Sequence, residues 1–368
     1  METIFDYIEK NGDKSFIDKD LNVIDALALS GIAYLPFCDA EDRCNIHFDI
    51  LKDMLRGFIK SDLLIKQCVL PKQDVKFAKK LYKAKRYSNL RVYEYIDLVS
   101  ERKEEQFSAL TFLLDNGDLF ISFCGTDITL IGWKENLNMS FTPETNGQKS
   151  AAEYVERLAY KFPSSKIILG GHSKGGNLAM YAGSFVPENV QDRIIEIYNF
   201  DGPGFLEEVI QKDGYQRIRP RIKTIIPRSS IVGMILEQSD TYTAIYSKGI
   251  GIIEQHNFYN WKIDGDDFLK AKEISRMSLA SHFALRSVLL KMDMDEREKF
   301  VTVMHKLALS TKMKTTREVL DHIAGCLKDI LGQYMNLDKS EKKIITRTFM
   351  SLGLEFFKAT RRKNYERN

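Results

Sequence analysis

Read for hydrophobic period, the chain changes character twice. Residues 1 to about 60 carry mainly helical spacing, best in 20–34, where Val23, Ala26, Leu27 and Ile32 share one face. Gly31 weakens that helix unless a close packing contact requires a residue without Cβ. Residues 71–89 continue as a helix with Lys79, Lys80, Lys83, Lys85 and Arg86, a basic run expected to form a solvated face. From Arg91 the period becomes two. Arg91–Val99, Ser108–Leu114 and Asp118–Cys124 read as strands, the last two joined through Asn116-Gly117, a strong hairpin signal.

Strands then alternate with helices. Gln148–Tyr160 has Ala151, Tyr154, Val155 and Leu158 at helical spacing. Ile167, Ile168 and Leu169 form a buried strand, and a helix runs from about Asn177 towards Pro187. Arg193–Phe200 and Arg221–Pro227 are further strands, the first ending in Asp201-Gly202-Pro203-Gly204 with a helix expected after it. A less regular stretch runs through Tyr242 and Ile253 to His256. From about Asp266 the pattern is helical to the end, with a helix start at Met292–Phe300, a helix over Thr315–Leu331 and a frayed basic tail from Lys358. This alternation predicts an α/β fold with a mostly parallel, doubly wound sheet. The expected organisation is a helical N-terminal region (1–90), an α/β core (91–265) and a helical C-terminal region (266–368).

Composition narrows the function classes. With 44% hydrophobic residues, the 368-residue chain has material for a large core. A net charge of only +3 argues against a general nucleic-acid binder. The five cysteines (Cys38, Cys44, Cys68, Cys124 and Cys326) are scattered and form no C-x-x-C pair. They are expected to be reduced thiols of a cytoplasmic protein, with no zinc site. No metal or other cofactor is expected. The first residues show no secretory signal, and no apolar run is long enough to span a bilayer.

The chemistry concentrates at Gly171-His172-Ser173-Lys174-Gly175. This is a G-x-S-x-G turn between a strand and a helix, the context of a nucleophile elbow. The elbow would expose Ser173 Oγ at the sheet edge, over a helix N-terminus that favours a developing anion. The competing reading is a glycine-rich turn with Ser173 only as a helix N-cap. An acyl-transfer site also needs two N–H donors for the oxyanion. Lys174 N–H, after the nucleophile, and Thr126 N–H, where a strand stops at Gly125-Thr126, fit those posts, and the Thr126 hydroxyl could add a third.

Serine needs an imidazole to take its proton. His256, in a loop downstream of Ser173, is the best-placed of six histidines, and His282 is a second candidate. His172 reads as structural; His47, His305 and His322 lie in flanks expected to be helical. The acid should end a strand between Ser173 and His256. Asp201 does so, Asp240 lies farther along, and a Ser-His dyad without a carboxylate is the third possibility.

Phe123-Cys124-Gly125-Thr126-Asp127, Gly132-Trp133-Lys134-Glu135 and Gly170–Ala179 resemble the fungal-type (class 3) lipases, and especially a related bacterial family of uncharacterised lipase-like proteins. Phe5-Asp6-Tyr7, Phe200–Gly204, Ile226–Gly233 and Gln255-His256 extend the resemblance over roughly residues 1–265. It implies an α/β-hydrolase fold, Ser173 as nucleophile, His256 as base and Thr126 in the oxyanion hole. In class 3 lipases the acid ends the strand that here ends at Pro227, where this chain offers Ser229 or Ser230. Class 3 lipases also favour Arg where Cys124 stands.

The expected function is a serine esterase or lipase-like acyl hydrolase acting on a small-molecule or lipid ester. Trp133, Leu137, Met139 and Phe141 would form an apolar lid or pack into the core. The alternatives are a non-catalytic hydrolase-like scaffold with a partner-binding tail, and an acyltransferase or peptidase built on the same residues.

Overall fold

The computed structural model describes residues 1–38, 44–100, 102–126, 130–139, 141–237, 241–311 and 323–361. Its centre is an eight-stranded sheet whose strands lie side by side in chain order. They are β1 (Cys44–Ile50), β2 (Arg91–Ser100), β3 (Glu105–Leu113), β4 (Leu119–Phe123), β5 (Ile167–His172), β6 (Ile194–Phe200), β7 (Ile222–Pro227) and β8 (Tyr242–Ile245). β1 to β4 pair antiparallel, and β4 to β8 pair parallel. The hairpin forms at Asn116-Gly117, with Gly117 at φ +85° and Leu113 opposite Leu119.

Both faces of the sheet are buried, which is why its parallel strands read as continuous apolar runs. Leu119, Ile121, Phe123, Ile167, Leu169 and Ile197 point to one face. There they meet Ala151, Val155 and Leu158 of helix Asn146–Lys161 and Leu178, Ala179 and Ala182 of helix Lys174–Phe185. The alternate residues Phe120, Ile168, Tyr198 and Phe200 point to the other face, covered by helices Ile4–Asn11, Val23–Ile32, Leu51–Lys60 and Pro71–Lys83. The fold is α/β-hydrolase-like, and the N-terminal helices form one wall of it.

Several local expectations are corrected. Residues 1–60 are not only helical: Cys44–Ile50 is the edge strand β1, too short and too exposed to show a clean period. His47 therefore lies on a strand. Helix Val23–Ile32 is buried from Ile24 to Ile32 all round, not on one face, because it packs between the sheet and other N-terminal helices. Gly31 meets the ring of Phe258, where a Cβ would press on it.

Arg86 is not part of a solvated face. Its side chain is fully buried on Asp25, with Nε to Oδ1 at 2.8 Å and Nη2 to Oδ2 at 2.6 Å. It also donates to the carbonyls of Lys14, Ser15, Lys19 and Asp20, and Tyr87 Oη donates to Asp25 Oδ1 at 2.6 Å. The guanidinium is the one basic group whose length and five donors suit so many inward carbonyls.

Cys38 and Cys44 are joined by a disulfide, with Cα atoms 6.3 Å apart, contrary to the expectation of reduced thiols. Their separation of six residues lets the chain close on the start of β1, a pairing that a search for C-x-x-C spacing misses. Cys68, Cys124 and Cys326 are buried thiols.

The C-terminal region does not turn helical at Asp266. Asp267–Phe268 pairs with Ile263–Asp264 in a short ribbon turned at Gly265, and the helices begin at Arg276. Helices Arg276–Leu290, Met294–Leu309, Ile323–Asn336 and Lys339–Thr360 follow. Asp293 caps the second by accepting from Glu296 N–H at 2.8 Å. The start of the helix expected over Thr315–Leu331 lies outside the described residues. The last helix runs through Lys358 to Thr360, and the rest of the expected frayed tail, 362–368, lies outside the described residues. Val288, Met292, Val303, Leu307, Leu337 and Ile344 form a separate small core. Helix Met294–Leu309 packs on helix Leu130–Asn138, where Lys134 pairs with Glu104. No described helix is long and apolar enough to cross a membrane.

Candidate active site

Ser173 sits between β5 and its helix at φ 58° and ψ −131°, a conformation that L-residues avoid. Holding it costs on the order of 1–3 kcal/mol, so the surroundings must over-determine it. They do so with hydrogen bonds from Ser173 N–H to Phe200 O (2.9 Å) and from Gly176 N–H to Ser173 O (2.9 Å). The flanking glycines are required by contact. A Cβ on Gly171 would overlap the Gly175 carbonyl, and one on Gly175 would overlap the Phe123 carbonyl. The motif spacing thus follows from how closely the helix must start against β4 and β5.

Asp201 ends β6, also at positive φ (54°), and is fully buried. Its carboxylate accepts three hydrogen bonds. His256 Nδ1–H reaches Oδ2 at 2.7 Å, Ser230 Oγ–H reaches Oδ2 at 2.8 Å, and Gly233 N–H reaches Oδ1 at 3.1 Å. Burial raises the Asp201 pKa, while the His256, Ser230 and Gly233 contacts pull it down. Ser230, beyond the end of β7, thus braces a carboxylate supplied by the preceding strand. Asp240 lies outside the described residues. His282 is on helix Arg276–Leu290, bonded through Nδ1 to Met234 O at 2.5 Å, and not to Asp201.

His256 closes helix Ile252–His256. With Nδ1 committed to Asp201, its basic lone pair falls on Nε2. The His172 ring lies tilted against it, with 4.5 Å between centroids and 34° between planes. His172 Nε2–H donates to the His256 carbonyl at 2.8 Å, so its Nδ1 accepts from Tyr34 Oη at 2.9 Å. Ser173 follows directly on this ring.

Burial and the neighbouring His256 hold the His172 pKa well below 6.5. Below about pH 6.5 the unfolded chain therefore binds a proton that the native state refuses, and stability falls with pH. The expected slope from this residue approaches ~1.4 kcal/mol per pH unit. Urea melts between pH 7.5 and about 5 should show His172→Gln flattening that dependence; an unchanged slope would contradict the assignment.

Thr126 follows β4, and its Oγ1 accepts from Asn136 Nδ2. Lys174 contributes more than a backbone N–H. Its buried Nζ donates to Glu135 Oε2 at 2.8 Å and to Gln106 O at 2.6 Å. Glu135 also accepts Gln106 N–H at 3.1 Å and Gly147 N–H at 2.7 Å. The pair clamps helix Leu130–Asn138 to the first turn after Ser173, and removing one partner would strand a buried charge. Of the expected lid residues, Met139 is buried and Leu137 is exposed, and the Trp133 side chain lies outside the described residues.

Sequence reasoning missed Ser230, Tyr34 and the Lys174–Glu135 pair as parts of this site. Glu135 and Ser230 stand in the segments Gly132–Glu135 and Ile226–Gly233, which carried that signal. Tyr34 gave none, since only the fold brings it against the elbow.

No curated protein matches the chain. Among solved structures it is similar to lipase II from Rhizopus niveus, at 15% identity over 61% of this chain and 80% of that one, with a TM-score of 0.34. It is similar to the Lip2 lipase from Yarrowia lipolytica at 13% identity over 48% and 71%, with a TM-score of 0.33. The Rhizomucor miehei lipase propeptide complex gives 12% identity over 49% and 70%, with a TM-score of 0.32. Residues 81–306, more than half of the chain, match the Mbeg1-like family model, and the chain belongs to that family.

Proposed function

We propose that the chain is a serine acyl hydrolase acting on carboxylic esters, of the kind related to fungal-type (class 3) lipases. The observation that carries this reading is the Asp201–His256 hydrogen bond of 2.7 Å to a fully buried carboxylate, together with a serine held at φ 58° directly after the His172 ring that lies against His256. A surface histidine or a plain helix N-cap needs neither feature.

In the proposed reaction Ser173 Oγ attacks the ester carbonyl while His256 Nε2 takes its proton. Asp201 keeps the imidazole in the Nδ1–H tautomer and stabilises the imidazolium without taking the proton. The carbonyl oxygen becomes an anion held by the N–H groups of Lys174 and Thr126. Each such donor is worth about 10²–10³ in rate. His256 returns its proton to the leaving alcohol, and water then repeats the sequence on the acyl-enzyme. The scaffold alternative drew on the lack of a carboxylate after β7. Ser230 there binds Asp201 instead, which removes that motive.

The test is turnover of short-chain p-nitrophenyl esters by purified protein. Ser173→Ala is expected to lower kcat by about 10³-fold or more at unchanged melting temperature. Wild-type turnover that survives this substitution would overturn the reading.

A further inference from the structure

The last helix, Lys339–Thr360, has two unlike sides. Ile344, Ile345, Thr348 and Ala359 are buried. At about 100° per residue, Lys343, Met350, Leu354, Phe357 and Arg361 fall within one sector of roughly 60° opposite them. That sector faces water: Met350 is 70% exposed, Leu354 54% and Phe357 51%. Exposed cations bound it at both ends, Lys339 and Lys343 before and Arg361 after. The Arg361 guanidinium lies 4.1 Å over the Phe357 ring. Both acids of the helix turn to lysines instead, Glu341 to Lys306 at 3.0 Å and Glu355 to Lys291 at 2.7 Å and Lys358 at 3.0 Å.

We propose that this face docks on an anionic lipid surface. An amphipathic helix that shows Phe, Leu and Met between outward cations matches a membrane interface in both apolar depth and charge. The interface accepts these side chains without the shape complementarity that a protein groove would need. A second copy of the chain would set one positive rim against another. The docking is independent of the proposed catalysis, and a lipid ester substrate would lie in the surface so bound.

The test is sedimentation of the whole chain with vesicles of phosphatidylcholine alone and of phosphatidylcholine with an equal amount of phosphatidylglycerol. Binding is expected to the anionic vesicles only and to weaken with salt. The triple variant Met350→Ser, Leu354→Ser, Phe357→Ser should lose at least about tenfold in partition. The double variant Lys343→Gln, Arg361→Gln should lose about fivefold per cation. All five side chains are on the surface, so melting curves should not move; if the triple variant misfolds, the charge variant decides. No binding, equal binding to both vesicles, or binding that the charge variant keeps in full would overturn the proposal. So would a wild-type dimer, without lipid binding, that the triple variant abolishes.

Discussion

Asp201→Asn is expected to lower ester turnover by about 10⁴-fold while leaving the fold intact. The amide can place its oxygen where Oδ1 accepts Gly233 N–H and its NH2 where Oδ2 stood, donating to Ser230 Oγ, so the strand end keeps its anchors. It can equally present an N–H to His256 Nδ1, which would move the proton to Nε2 and remove the base. The measurement is kcat/KM against the wild type, with urea denaturation as control. A loss below about tenfold would mean that His256 works without its acid, as a dyad. Ser230→Ala should reduce turnover less, because two donors remain on Asp201.

The second large effect is on stability. Arg86→Ala would leave Asp25 buried at zero exposure without its cation, and four carbonyls without their donor. Breaking such a pair from one side costs about 3–5 kcal/mol. Urea midpoints should drop accordingly. The double variant Arg86→Met, Asp25→Asn should recover part of the loss, because the uncompensated charge is gone. A drop no greater than a surface pair gives, below about 1 kcal/mol, would contradict the account. The N-terminal helices carry this network and also supply Tyr34, so their loss should disturb His172 and the elbow as well.

Much of this was legible along the chain because the relevant forces are local. Strand period, the Asn116-Gly117 turn and the glycine spacing around Ser173 each follow from backbone sterics within a few residues. The carboxylate at the end of β6 was legible too, since Asp201 directly follows an apolar strand. What was hidden depends on distant segments meeting. Arg86 belonged to a basic run by composition, and only packing against residues 14–25 makes it internal. Lys174 was read for its N–H, while its side chain reaches Glu135 on a helix that precedes it by 39 residues. The edge strand β1 and the Cys38–Cys44 bridge have too little burial to leave a hydrophobic period.

One hydroxyl carries the whole chemical reading, and its reactivity can be read without knowing the substrate. Purified, folded protein should be exposed to a fluorophosphonate and digested for mass spectrometry. The account requires a single adduct on Ser173, absent in Ser173→Ala and slowed strongly in His256→Ala. Folded wild-type protein that takes no label, or takes it on another residue, would contradict it.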